Sequence, residues 1–215
     1  MLQVEPRFES FEEYLSYHDD SGKFYELFNG KLIEMPPESG VNVQIANRIF
    51  LIFALILGTD RVRGHGLELE VRGEPKNRYP DLTIIRESHI QQLAQRNTIR
   101  LSMSPPLLAI EVVSPDHLQR DRDYIAKRNQ YQDCGIPEYW IVDPQTETIL
   151  VLSLTDNTYT EFGSFGRDDV LSSPQFTELN LKVSEVFGWL TDIGQRTTIA
   201  LMGKGIESID KSEGS

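Results

Sequence analysis

The chain has 215 residues, of which 39% are hydrophobic and 25% are charged, a composition that suits one globular domain with a substantial core. Its 33 acidic residues outnumber its 21 basic residues and give a net charge of −12, which argues against tight, unspecific binding to nucleic acid. The single cysteine, Cys134, excludes a disulfide framework and a cysteine-rich zinc site.

Targeting signals are not evident in the sequence. The longest apolar segment, residues 45–57, contains Asn47 and Arg48 and is shorter than a membrane span requires. Residues 1–7 lack the basic-then-apolar order of a signal peptide. We therefore expect a cytoplasmic protein without a membrane segment. Because no repeat or linker divides the chain, residues 1–200 are expected to form one domain, and residues 201–215 a disordered tail.

The first third of the chain predicts helices around a hairpin. Ser10 and Glu13 have the spacing of a capping box, which predicts a short helix that begins there. The dipeptide Asn29-Gly30 separates two short β-prone runs and predicts a hairpin with a two-residue turn. A longer helix is expected over residues 42–57 and is closed by Gly58.

The centre of the chain predicts a strand–helix–strand unit. Residues 107–113 are almost continuously apolar, as in a strand that is covered on both faces. Ser114-Pro115 has the features of a helix start, and the helix should run to about residue 133. Another buried strand follows at residues 138–142. With a β-branched run at residues 81–85, this pattern predicts a mixed sheet.

The fold class expected from these elements is α/β (α+β). The N-terminal hairpin and antiparallel strands after residue 148 would extend the mixed sheet, and helices would flank it. A short helix is expected near residues 181–190.

Two carboxylates are the first candidates for chemistry. Glu111 interrupts the apolar run, where a buried charge costs several kcal/mol unless it is paired or bound to a cation. A structural salt bridge or an exposed strand end would also explain it. Asp81 opens a strand after Pro80, where an aspartate often caps a turn. On neighbouring strands, the two could share a cation, and oxygen ligands suit Mg²⁺ or Mn²⁺.

A lysine on the following helix completes the candidate set. Asp123, Lys127 and Tyr131 are spaced four residues apart and therefore lie on one helical face. A solvated stripe with a weak Asp–Lys pair is the alternative. Because this helix directly follows the strand that carries Glu111, one of its faces must cover that strand, and Lys127 could reach the carboxylates. Two acids and a lysine suit phosphodiester hydrolysis.

Five short motifs follow one another in the sequence: Tyr-Glu-Leu-Phe-Asn-Gly-Lys-Leu-Ile-Glu-Met at residues 25–35, Pro80-Asp81, Glu-Val-Val-Ser-Pro at 111–115, Asp123-x-x-x-Lys127-x-x-x-Tyr131, and Gly-Ile-Pro-Glu-Tyr-Trp-Ile-Val-Asp-Pro at 135–144. Because its motifs occur in this order, the chain closely resembles the putative restriction endonuclease family. That family belongs to the PD-(D/E)xK nuclease superfamily. The resemblance extends to about Phe187. It implies a restriction endonuclease-like fold.

The resemblance also implies roles for particular residues. Asp81 and Glu111 would be metal ligands, together with the backbone carbonyl of Val112. The lysine that commonly follows the acid by two residues is replaced by Val113, so that the resemblance points to Lys127 as the catalytic lysine.

Further residues receive supporting roles from the same resemblance. Glu26 matches an acid of the N-terminal motif and is expected to contact the metal or its water. Asp123 and Tyr131 are expected to support Lys127. Mg²⁺ (or Mn²⁺) is the implied cofactor, and a homodimer is the implied assembly.

Other polar residues carry weaker signals. The four histidines, at positions 18, 65, 89 and 117, lack metal-ligand spacing and are expected at the surface, with His117 nearest the site. Arg120, Arg122 and Arg128 could form a basic rim for phosphates, although a solvated helix face explains them equally well. Tyr139-Trp140 is expected in the core rather than stacked on bases.

Three functions remain open at this level. The first is a metal-dependent endonuclease that hydrolyses DNA and contacts it only locally, given the charge of −12. The second is a catalytically inactive nuclease-fold module for interaction or nucleic-acid binding. The third is an unrelated metal-dependent hydrolase of small phosphorylated substrates.

Overall fold

A computed structural model describes residues 7–17, 21–113 and 117–188 of the protein, with only the backbone described for residues 117–123. Its helices are α1 (Phe11–Ser16), α2 (Gly40–Leu57), α3 (Glu87–Gln92), α4 (His117–Asp133) and α5 (Val183–Phe187). Its strands are β1 (Tyr25–Phe28), β2 (Lys31–Glu34), β3 (Val62–Gly64), β4 (Glu68–Glu70), β5 (Asn77–Arg78), β6 (Leu82–Ile84), β7 (Thr98–Ile99), β8 (Leu108–Val112), β9 (Glu138–Asp143), β10 (Thr148–Thr155), β11 (Thr158–Phe165), β12 (Val170–Leu171) and β13 (Leu181–Lys182).

A six-stranded mixed sheet forms the centre of the fold, in the order β11-β10-β9-β8-β6-β3. Strands β8 and β9 are parallel, because the crossover helix α4 returns the chain to the same end of the sheet. The other neighbouring pairs in this sheet are antiparallel. This confirms the α/β fold class and the mixed sheet. The expectation that the N-terminal hairpin extends this sheet is wrong, because β1 and β2 form a separate two-stranded sheet.

Both faces of the central sheet are covered, which explains why β8 is buried along its length and apolar except at Glu111. On one face, Ile45, Ile49 and Phe53 of α2 pack against the sheet together with α5. On the other face, Tyr131 of α4 packs with α3 and with a three-stranded sheet ordered β5-β4-β7. Glu111 lies on β8 between these layers and is therefore withdrawn from bulk water.

Local sequence signals explain the N-terminal elements. The hydroxyl of Ser10 accepts a hydrogen bond from the backbone N–H of Glu13 and caps α1, as expected. Asn29 and Gly30 have φ angles of 48° and 74° between β1 and β2, which is the left-handed pair that a two-residue hairpin turn needs. Gly58 ends α2 with a φ of 83°. These predictions are confirmed.

Helix α2 corrects one expectation. It begins at Gly40, because the Ser39 hydroxyl accepts a hydrogen bond from the Asn42 N–H, and it therefore has 18 residues. By length and composition alone it could cross a membrane, so the prediction that no segment is long and apolar enough is wrong. This is weak evidence of a span, because the core helices of water-soluble proteins pass the same test.

Several short elements have no sequence prediction to match them. Helix α3 and strands β5, β7 and β12 are at most six residues long, too short for a periodic pattern. The segment predicted as a closing helix begins with β13 and continues as α5. The predicted helix cap at Ser114 and the predicted tail at residues 201–215 lie outside the described residues.

Phe53 tests the packing of α2 on the central sheet. It has no exposed surface, and its ring lies 5.6 Å from Trp140 and 5.1 Å from Phe176. We expect Phe53→Ala to lower the free energy of unfolding by about 3–5 kcal/mol, because it leaves a cavity in the core. Urea unfolding followed by circular dichroism would measure this.

Leu55 provides the control on the same helix, because its side chain is 69% exposed. Leu55→Ala should change the free energy of unfolding by no more than about 0.5 kcal/mol. Equal losses in the two variants would contradict the assignment of the buried face.

Candidate metal-dependent catalytic site

Asp81 and Glu111 face each other across two neighbouring strands. In the antiparallel pair of β6 and β8, Leu82 lies opposite Ile110, so the next position pairs Asp81 with Glu111. The two residues are only 7% and 4% exposed. The structure thus brings both predicted acids to one end of the sheet, where two carboxylates that share a face repel each other.

The carboxyl group of Asp81 is held by the backbone of the next strand. Its Oδ2 accepts a hydrogen bond of 2.7 Å from the N–H of Val112. Burial raises the pKa of Asp81 to about 8, and the nearby charges of Glu111 and Glu38 add to this increase. The Val112 hydrogen bond and Lys127 act in the opposite direction without reversing the shift.

Both carboxylate oxygens of Glu111 have donors on helix α4. The Lys127 ammonium lies 2.9 Å from Oε2, and the Tyr131 hydroxyl donates to Oε1 at 2.6 Å. Tyr131 has no exposed surface, and its pKa is raised well above its usual value, first by burial and then by Glu111. Tyr131 is therefore a neutral donor at physiological pH. The four-residue spacing places both donors over β8.

Three other predicted residues have different surroundings. The carbonyl of Val112, expected as a metal ligand, accepts a hydrogen bond of 3.2 Å from the side-chain amide of Asn42. The carboxylate of Glu26 lies 3.0 Å from the guanidinium of Arg78 in a largely buried ion pair. The side chain of Asp123 lies outside the described residues. Metal-related roles for all three stay predictions.

The structure describes one of the three arginines that were expected to form a basic rim. The guanidinium of Arg128 donates a hydrogen bond to the backbone carbonyl of Tyr159 on β11, and this contact links α4 to the central sheet. The side chains of Arg120 and Arg122 lie outside the described residues. Within the described parts of the chain, arginines 61, 78, 96, 100 and 167 form ion pairs with glutamates.

Two residues near Asp81 were missed by sequence reasoning. One ligand atom each of Glu38, His65 and Asp81 lie within 4.8 Å of one another. Glu38 precedes α2, His65 follows β3, and Asp81 precedes β6. Unequal intervals of 27 and 16 residues separate them and form no ligand motif. His65 is exposed, as expected, but its position beside Asp81 could come only from the tertiary structure. The same expectation is wrong for His89, which is fully buried with its Nε2 against the backbone carbonyl of Ser104.

The chemistry of these residues fits a divalent cation. Oδ1 of Asp81 has no hydrogen-bond donor among the described residues, whereas Oδ2 is engaged. A bound cation would use this free oxygen and would offset the repulsion between Asp81 and Glu111. Carboxylate oxygens are the ligands that Mg²⁺ and Mn²⁺ prefer. The residues present therefore fit the cofactor that the family resemblance implies.

Comparisons with known proteins agree with this fold. A solved structure of a putative nuclease belonging to DUF820, from Anabaena variabilis ATCC 29413, matches 84% of this chain and 98% of its own with a TM-score of 0.64. The sequence identity is 21%, so this likeness shows the fold alone. A search of curated proteins found no significant match.

The family to which the chain is matched places the protein in the nuclease class. The family model described as "Putative restriction endonuclease" (Uma2) matches residues 11–184. Because this match covers most of the chain, the protein belongs to the Uma2 family of putative restriction endonucleases. The resemblance seen in the sequence motifs is thereby confirmed.

The raised pKa of Asp81 predicts a pH-dependent stability. Between about pH 4 and pH 8 this carboxyl group is protonated in the folded chain and ionised in the unfolded chain. The folded state then binds more protons, so its stability falls as the pH rises through this window. In EDTA, Asp81→Asn should be more stable than the wild type by roughly 2–5 kcal/mol above about pH 8, with the difference vanishing near pH 4.

Urea unfolding at several pH values would measure this difference. Asp60→Asn is the matched control, because Asp60 is exposed, and it should leave the pH profile unchanged. If Asp81→Asn were less stable than the wild type above pH 8, the ionised carboxylate of Asp81 would not be destabilising. The raised pKa of Asp81 would then be contradicted.

Proposed function

We propose that the protein is a Mg²⁺- or Mn²⁺-dependent endonuclease that hydrolyses DNA phosphodiester bonds. The observation that carries this proposal is the cross-strand pair of buried carboxylates, Asp81 and Glu111, with the Lys127 ammonium 2.9 Å from Glu111. A salt bridge to Lys127 alone would explain Glu111, but it would leave the buried Asp81 beside it without a cation. Membership of the nuclease family supports the same choice.

Each residue has a distinct part in the proposed mechanism. Asp81 and Glu111 would hold a divalent cation, which lowers the pKa of a water molecule and stabilises negative charge on the phosphate oxygens. Lys127 would orient the attacking water and add positive charge beside the phosphate. Tyr131 is a positioning residue, because its hydrogen bond fixes the Glu111 carboxylate.

Lys127 can serve in this way because its ion pair is not fully enclosed. The side chain of Lys127 is 16% exposed, whereas that of Glu111 is 5% exposed. A divalent cation held by Asp81 and Glu111 would share the charge of Glu111 with Lys127. The partly exposed ammonium of Lys127 would then also place positive charge beside a phosphate group that approaches from the solvent side.

The substrate and assembly are further parts of the proposal. A charge of −12 opposes binding of DNA over most of the surface, so contact would be local to the cation and Lys127. A homodimer, as the family resemblance implies, would supply two sites for the two strands of a duplex.

Cleavage of supercoiled plasmid tests the proposed function. Purified protein should nick plasmid with Mg²⁺ or Mn²⁺ and not with EDTA. Asp81→Asn and Lys127→Met should each lower the rate at least about 100-fold, because they remove a metal ligand and a charge that stabilises the transition state. Lys182→Met is the matched control, since Lys182 is an exposed lysine on β13, and it should retain the wild-type rate.

Three outcomes would contradict parts of this proposal. No cleavage with either metal would favour the inactive binding module. Undiminished cleavage by Asp81→Asn would indicate a contaminating nuclease. A structured RNA should be tested in parallel. Cleavage of this RNA but not of DNA would support the hydrolytic site and contradict DNA as the substrate.

A further inference from the structure

The side chains of Glu38 and His65 have no assigned task in the proposed mechanism. Their ligand atoms nevertheless lie within 4.8 Å of each other and of an atom of Asp81. Three separate elements supply them: the segment before α2, the turn after β3 and the start of β6. Among the described residues, no hydrogen bond or ion pair engages the Glu38 carboxylate or the His65 ring nitrogens. The three residues thus present free ligand atoms to one point.

A buried ligand atom and a cavity support a cation at this point. Asp81 is 7% exposed, and its Oδ1 has no donor within the described chain, although Oδ2 accepts from Val112. Glu38, His65 and Asp81 also line a cavity of about 60 Å³. This volume exceeds what a single water molecule needs, so there is room for a cation and bound water.

The orientation of the His65 ring is supported by aromatic neighbours. The ring meets Phe24 edge to face, with centroids 5.2 Å apart, and its centroid lies 6.3 Å from that of Tyr79. Such contacts restrict the ring although the residue itself is exposed. An imidazole with restricted orientation loses less entropy when a nitrogen binds a cation.

Glu111 is not a member of the group formed by Glu38, His65 and Asp81. Its oxygens are engaged by Lys127 and Tyr131, which compensate its charge in the absence of a cation. No such donor is described for Glu38 or His65. The charge of Glu111 is therefore compensated by donors, whereas Glu38 is a carboxylate without a described donor that lies beside an imidazole.

We propose that Glu38, His65 and Asp81 form a divalent-cation subsite that prefers Mn²⁺ to Mg²⁺. Mg²⁺ favours oxygen ligands in a near-ideal octahedron and keeps several waters, whereas imidazole is a ligand for first-row transition ions. Asp81 would then be shared between this subsite and Glu111. The inference deepens the proposed nuclease function and rests on it, because it specifies the ion of the same site.

Mn²⁺ binding to full-length protein without a histidine tag tests this subsite. We expect pulsed electron paramagnetic resonance of bound Mn²⁺ to show ¹⁴N modulation from a coordinated imidazole, and His65→Ala to abolish it. Titration of free Mn²⁺ should show at least a tenfold loss of affinity in His65→Ala and in Glu38→Gln. The affinity for Mg²⁺, measured by competition at the remaining ligands, should change less than threefold in His65→Ala.

Glu161→Gln is the matched control for Glu38→Gln. Glu161 is exposed on β11, at the opposite edge of the central sheet, and its substitution should leave Mn²⁺ affinity unchanged. Circular dichroism in EDTA should be the same in all variants. Absence of Mn²⁺ binding, absence of ¹⁴N modulation in the wild type, or unchanged Mn²⁺ affinity in His65→Ala would each overturn the subsite.

This experiment separates the subsite from the nuclease activity. If plasmid cleavage fails while the His65-dependent ¹⁴N signal is present, the result supports the subsite as a cation site and contradicts the hydrolytic function. If Asp81-dependent cleavage occurs without a ¹⁴N signal, the result supports the nuclease function and contradicts the subsite.

Discussion

The repulsion between Asp81 and Glu111 is the interaction on which the site depends. The antiparallel register of β6 and β8 places the two acids opposite each other, and the packed layers around the sheet exclude water from them. Burial and the neighbouring charge raise the pKa of Asp81 to about 8. This arrangement costs stability in the absence of a cation, and the cation of the proposed function would offset that cost.

The surrounding fold offsets this repulsion unevenly. Helix α4 must cross over β8 to reach the parallel strand β9, and this path brings Lys127 and Tyr131 to Glu111. Among the described residues, Asp81 receives only the backbone N–H of Val112 and lies beside Glu38 and His65. The positive charge that the fold supplies is therefore concentrated at Glu111, and Asp81 is the side where an added cation relieves most repulsion.

The same uneven distribution bears on how an acidic protein could act on the polyanion of the proposed function. Several arginines in the described parts of the chain are already committed to glutamates, and Arg128 donates to the backbone. Under the proposed function, electrostatic attraction for a phosphate would come from bound cations and Lys127 rather than from a broad basic surface. Such a contact would be short in range and would depend strongly on the metal.

The sequence by itself determined the elements whose signals are local. The hairpin at Asn29-Gly30, the cap at Ser10 and the apolar run broken by Glu111 follow from turn chemistry, capping and burial, which act between near neighbours. Motif order led to the family and to Lys127. Only the tertiary structure decided that Glu38 and His65 lie beside Asp81 and that Glu26 pairs with Arg78, because these contacts join distant segments with no common period.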